Sequence, residues 1–188
     1  MSLPERRTAD VGQAIASSED GTMDAAVDGF SPPLQERPQS GVDAQLSNDA
    51  MAARILSMPP QPYRDGTYVV RVAEIRGRKS GTTHRVPIAV TQMDGNRYLV
   101  SPKTNRSWAL NLRAEPKGVL LSNGSREEFN AVEAEPDHAI AVLRLYLSLL
   151  RWAAAQFPFS ADDSDGTIRS HLDEVAVFQV VFSQLTQK

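Results

Sequence analysis

The sequence of 188 residues contains no cysteine. Disulfides, thiolate zinc sites, iron–sulfur clusters and cysteine nucleophiles are therefore excluded. Long apolar runs are missing too. None approaches the roughly 20 residues that a bilayer-spanning helix requires, so no integral membrane segment is expected. Met1 to Asp20 is mostly small and polar, without the apolar stretch of a secretory signal. A cytoplasmic location is the expectation. The three histidines, His84, His138 and His171, are too widely separated for metal-ligand spacing. Asp162-Asp163-Ser164-Asp165-Gly166 resembles the start of a calcium loop. Its twelfth position, however, is Asp173 rather than the usual bidentate Glu, and no helical pattern flanks its far side. An acidic loop and no metal are expected.

What is present is unevenly charged. The net charge of -3 hides an asymmetry. Residues 1–57 carry four Arg and nine acids, a net of -5. Residues 64–126 carry twelve Lys/Arg and four acids, a net of +8. A basic block of that size points to an anionic partner. Nucleic acid is a poor match, because only Tyr68, Tyr98 and Trp108 interleave the charges as stacking platforms.

Residues 1–46 are rich in Ser, Asp, Gln, Gly and Pro and lack a sustained apolar period. Such a segment buries too little apolar surface to offset its ordering entropy, so a disordered or weakly ordered acidic leader is expected. The domain proper then spans 47–188. It would open with a short helix capped by Ser47 and ended by Pro59-Pro60-Gln61-Pro62. Strands follow over 67–75, 84–93 and 97–100, the last two joined at Asp94-Gly95-Asn96. Asn123-Gly124 joins another pair, 118–122 and 126–135, and 174–182 is a final apolar strand. Helices are predicted over 107–114 and 136–156, the second opened by Pro136 with Ile140, Leu143, Leu147 and Leu150 at helical spacing. The fold class is mostly β. Six short strands at hairpin spacing suggest a closed β-barrel with packed helices, since closure removes exposed edges.

Chemistry concentrates in Arg76-Gly77-Arg78-Lys79-Ser80-Gly81-Thr82-Thr83-His84-Arg85, a turn between strands. Two glycines there let consecutive N–H groups converge on an anion. Arg78, Lys79 and Arg85 can neutralise phosphate or carboxylate oxygens, with Ser80 and Thr82 adding hydrogen bonds. The spacing is not that of a P-loop. A second basic point follows strand three, where Ser101-Pro102-Lys103 leads into a helix opening near Ser107-Trp108. A helix N-terminus beside Lys103 and Arg106 is a second anion-ready feature. Trp108 would either cover a flat ring or fill the core.

The run GRKSG, Pro87 six residues beyond it, the DGN hairpin, YLVSPK and W-x-x-N-L-R-A together resemble the flavin/deazaflavin-dependent oxidoreductases. The nearer branch is the deazaflavin-dependent nitroreductase and quinone reductase group of actinobacteria. The resemblance covers 67–135. It implies a split β-barrel of the flavin-reductase/FMN-binding type, with reduced coenzyme F-420 in a groove and its charged tail against the basic turn. By resemblance, Arg78, Lys79, Ser80 and Gly81 belong to the tail-binding turn and Pro87 lies at the deazaflavin ring. Ser101 and Lys103 follow strand three, and Trp108 opens the next helix. Family members often carry an arginine where His84 stands, and Arg85 is the neighbouring cation; adjacent strand residues face opposite sides. The loop from Lys103 to Trp108 is shorter than in the nitroreductase branch, and no C-terminal tyrosine cluster is evident. The implied activity is hydride transfer to a small-molecule acceptor such as a quinone, nitro compound or enone. Tyr63, His84 and Ser101 are candidate acids. FMN is the alternative cofactor, and a non-catalytic flavin, haem or lipid binding protein is the alternative function. A homodimer is compatible with such a barrel.

Overall fold

In the computed structural model the described residues are 41–182, with side chains described from residue 48 onward. Residues 1–40, most of the expected leader, lie outside them. Helix α1 (Gly41–Ser57) begins six residues before the expected cap, so Ser47 lies within it. The strands are β1 (Thr67–Arg76), β2 (Thr83–Met93), β3 (Asn96–Ser101), β4 (Lys117–Ser122), β5 (Ser125–Glu133) and β6 (Ala176–Phe182). Between them stand α2 (Ser107–Ala114), α3 (Pro136–Leu149) and α4 (Asp165–Ser170). All neighbours are antiparallel and the barrel closes in the order β1-β2-β3-β6-β5-β4. Asp94 and Gly95 both take positive φ, 52° and 73°, which sets the tight β2–β3 turn expected from Asp-Gly.

Register separates the two faces. Val69, Val90, Leu99 and Phe178 are successive cross-strand partners and belong to the interior cluster. Trp108, Ala109 and Leu112 join that cluster from α2, which therefore plugs one mouth of the barrel, here termed the upper mouth. Gly118 sits opposite Phe129, and a Cβ there would meet the Phe129 ring at 2.5 Å, so the strand needs glycine to admit the ring. Outside, Tyr68, Thr91 and Tyr98 form one row, covered by α3 through Ile140, Leu143, Tyr146 and Leu147. Val72 also faces outward, between Pro87 and Leu121, yet is fully buried. Helix α1 covers it, with Ala52 and Ile55 buried.

Two expectations change towards the C-terminus. The helix predicted over 136–156 breaks at Leu150 (φ -115°, ψ 61°) and continues as a 3-10 helix over Arg151–Gln156. The expected acidic loop contains α4, with Ser164 as N-cap accepting from the Thr167 N–H. Arg144 donates to the Asp163 carbonyl at 2.8 Å and to Asp165 Oδ1 at 2.6 Å. Asp163 Oδ2 accepts from the Ser160 N–H at 2.8 Å. Those acidic groups brace the turn, and no metal-holding cluster occurs among the described residues.

The lower mouth holds a network of charged groups around one ring. Arg71 is inward-facing, opposite Ile88, and buried. It donates to the carbonyls of Val70 (2.9 Å) and Gln61 (2.5 Å), leaving Nε without a partner. The Tyr63 ring lies 4.7 Å from the Arg71 guanidinium and 3.5 Å from that of Arg97. Tyr63 donates to Glu127 at 3.0 Å, and Glu127 also pairs with Arg97 at 2.9 Å. Tyr63 thus closes the lower mouth and anchors the proline-rich connection from α1.

Burial pushes the Tyr63 phenol up to about 12, with Arg71 and Arg97 opposing and Glu127 reinforcing the rise. Burial does the same to Tyr146 beneath α3, also to about 12, against the opposing charge of Arg106. In the unfolded chain a tyrosine ionises near pH 10. The folded values lie above that, so this contribution to stability is complete below about pH 10 and lost as pH rises toward about 12. Each phenol accounts for at most about 2–3 kcal/mol. Urea midpoints measured from about pH 9 to about pH 12 should fall steeply for the wild type and less steeply for Tyr63→Phe. Parallel slopes for the two proteins would contradict this assignment.

Candidate functional site

The open part of the barrel follows from unequal strand lengths. β1 pairs with β2 from Thr83 to Gln92. β3 reaches only Val90 to Met93 on the other side of β2. Thr83 to Ala89 therefore pair with β1 alone, and a seam opens between this edge and the chain leaving β3 at Ser101. Pro87 lies on that edge, where a missing N–H disrupts the ladder least. The β1–β2 turn stands at the upper end of this edge, and the Pro102–Arg106 connection is held by the Thr104 N–H on the Glu174 carbonyl at 2.7 Å.

The turn is closed from within. Gly77 N–H donates to the Thr82 carbonyl and Gly81 N–H to the Gly77 carbonyl, both at 2.8 Å. Gly81 has φ 71°, which a glycine adopts without strain. Thr82 N–H donates to Ser80 Oγ at 3.2 Å. Arg78 donates to Asn111 Oδ1 twice, from its backbone N–H at 3.2 Å and from Nη1 at 2.9 Å. The two consecutive N–H groups of Lys79 and Ser80 make no hydrogen bond among the described residues. Consecutive free N–H groups beside an ammonium form an anion-binding concavity.

The surrounding cations divide into paired and unpaired. Arg85 faces outward and pairs with Glu74 at 3.1 Å, a carboxylate it shares with Arg126. Arg85 is thus engaged by a carboxylate on the face opposite that of His84. Arg76 pairs with Glu115 at 3.6 Å and Arg113 with Glu133 at 2.6 Å. Lys79 and Lys103 are exposed and have no carboxylate partner among the described residues. His84 lies on the inward-facing row opposite Ile75, and its Nε2 is 2.9 Å from where a Gly77 Cβ would be.

Pro87 is half-buried on the outward row with Val72, which α1 covers. Ser101 is fully buried and donates to the Lys103 carbonyl at 2.8 Å, which folds the chain back after β3. Trp108 packs on Phe178, centroids 6.0 Å apart, as a core tryptophan. Of the candidate acids, Tyr63 belongs to the lower mouth and Ser101 to the core, so His84 alone stands beside the turn. Arg106, the residue before α2, offers no side-chain cap and instead donates to Gln156 at 2.8 Å. Sequence reasoning missed Asn111, whose carbonyl oxygen joins the turn to α2 across 33 positions of sequence. Its signals in the sequence were its place in W-x-x-N-L-R-A and a polar side chain beside the apolar positions of α2.

The geometry is thus a six-stranded antiparallel barrel with an anion-ready turn beside the unpaired upper edge of β2. Residues 65–157 match the F-420H(2)-dependent quinone reductase family. That match, over 93 of the 188 residues, groups the barrel with the deazaflavin-dependent reductases, and the coenzyme of that family is F-420. No curated protein matches the sequence. Among solved structures, an F-420-H2 dependent reductase (FDR-A) is 19% identical, with TM-score 0.42, over 60% of this chain and 93% of its own. A conserved hypothetical protein of Mycobacterium tuberculosis is 16% identical, with TM-score 0.44, over 72% and 80%. A further F-420 reductase is 16% identical, with TM-score 0.37, over 66% and 96%.

The residues at the seam fit a polyanionic coenzyme. Two free N–H groups and the unpaired Lys79 are the donor set a phosphate takes. Gly77 keeps the turn tight, because a Cβ there would meet Ser80 Oγ at 3.0 Å and the Thr82 carbonyl at 3.1 Å. Gly77→Ala should widen the turn, shift the amide resonances of residues 78–84 and cost about 1–3 kcal/mol in urea unfolding. Unchanged resonances with a wild-type midpoint would show that the turn tolerates a side chain there.

Proposed function

We propose that the chain binds reduced F-420 along the seam and delivers its hydride to a quinone, nitro or enone acceptor. The observation that carries this reading is the pair of free N–H groups at Lys79 and Ser80, beside a lysine without a carboxylate partner. Lys79 and these amides would hold the phosphate, and Lys103 after β3 would add charge toward the anionic tail. When bound, the coenzyme supplies the hydride. The protein supplies orientation and a dry wall. β2 presents an apolar inner row, Val86, Ile88 and Val90, and α2 seals the barrel above it.

Negative charge that develops on a reduced acceptor calls for donors that stay protonated. Among the candidate acids, His84 beside the turn offers such an N–H. No carboxylate is required by this scheme. The same pocket is compatible with FMN, whose phosphate would use the same turn. F-420 is favoured by the family match, and the cations Lys79 and Lys103, which lack carboxylate partners among the described residues, suit a longer anionic tail.

Fluorescence titration of the purified chain with oxidised F-420 and with FMN tests the reading. F-420 should bind more tightly than FMN, and Lys79→Ala should weaken F-420 about tenfold, the scale of a charge-assisted hydrogen bond. Binding should also weaken as salt rises. Absence of binding to both cofactors would sink the reductase and favour a haem- or lipid-binding protein.

A further inference from the structure

We propose that Asn111 is a positioning residue that sets the phosphate-binding turn from behind, while making no contact with the coenzyme itself. This inference rests on the coenzyme reading above and adds how the turn is preset. Asn111 is buried in the middle of α2, among Trp108, Ala109 and Leu112, which anchor that helix in the barrel mouth. Its Oδ1 accepts two hydrogen bonds from one residue, the backbone N–H and the guanidinium of Arg78.

Both bonds fix direction. A backbone N–H drawn toward α2 at Arg78 leaves those of Lys79 and Ser80 as the two turn amides without partners. The Gly77–Gly81 and Gly77–Thr82 bonds close the loop behind them. The Arg78 guanidinium is held beside the turn, where it adds positive potential without collapsing onto Glu115, which is occupied by Arg76. The rigid part of this arrangement is the helix. An asparagine on a packed helix face holds a loop better than any pairing within the loop, because ordering α2 is already secured by the core.

The coenzyme's two halves should therefore respond differently. Phosphate and tail affinity depend on the preset amides, whereas ring affinity depends on the β2 edge, which Asn111 does not touch. Full-length wild type, Asn111→Ala and Asn111→Asp are compared for binding of F-420 and of its phosphate-free deazaflavin riboside, with fluorescence as readout. Amide hydrogen exchange over residues 77–82 is measured on the same proteins. In Asn111→Ala, F-420 should bind about tenfold more weakly, the worth of a lost charge-assisted hydrogen bond, while riboside binding stays at the wild-type level. Exchange at Arg78 should accelerate in Asn111→Ala and be restored in Asn111→Asp, which keeps an acceptor oxygen at that place.

Equal weakening of both ligands, or unchanged exchange at Arg78, would overturn the inference and leave Asn111 a plain core residue. Wild type that binds the riboside as tightly as F-420 would remove the turn as a phosphate site, and Asn111's role with it. Wild type that binds neither ligand would instead sink the coenzyme reading itself, taking the inference down by a different and recognisable route.

Discussion

The whole arrangement depends on a mismatch of backbone hydrogen bonding. β2 is 11 residues long and β3 is 6, so β3 pairs with the lower end of β2 only. A sheet edge inside a protein must pair, be covered or meet a ligand. Here the ring is closed below by the Asp94-Gly95 hairpin and opened above, where β3 turns away at Ser101. The buried Ser101 hydroxyl, bonded to the Lys103 carbonyl, fixes that departure. The interior stays dry because α2 fills the upper mouth and Tyr63 fills the lower one. The barrel can thus expose an edge without losing its core.

Charge is then distributed around the opening by pairing. Glu74, Glu115 and Glu133 each occupy an arginine near the upper rim. Such exposed pairs add little to stability, but they withdraw their cations from competition for an anion. Among the described residues Lys79, Lys103 and Lys117 are left without a carboxylate, and Arg78 and Arg106 bond to side-chain amides instead. The lower network works differently: Arg71 and Arg97 clasp Tyr63, and the single carboxylate of Glu127 serves both Tyr63 and Arg97. Its function is closure and anchoring of the chain that arrives from α1.

Much of this was legible in the sequence, because the strands obey local rules. Asp94-Gly95 and Asn123-Gly124 announced their turns, and the strand limits fell within two residues of expectation. The GRKSG turn and the helix at Trp108 were found for the same reason. What escaped notice was set by distant contacts. Arg85 and His84 are neighbours in sequence, and only the register against β1 sends one to Glu74 and the other inward. Arg71 is one polar residue in an apolar strand, yet it is buried because the Tyr63 ring and the Gln61 carbonyl, both outside the strand, and the carbonyl of its neighbour Val70 receive it. The break at Leu150 interrupts a run whose apolar spacing stays helical, so spacing alone could not reveal it. Asn111 acquires meaning only through Arg78, which the sequence places far away. Ser47 failed as a cap because α1 already runs through it.

The most direct measurement is a structure of the chain crystallised with oxidised F-420. The account predicts phosphate oxygens within hydrogen-bond reach of the Lys79 and Ser80 N–H groups, the ring along the unpaired edge of β2, and the Arg78–Asn111 bonds intact. A coenzyme phosphate bound away from this turn, or a turn that has released Asn111 to reach it, would contradict the account.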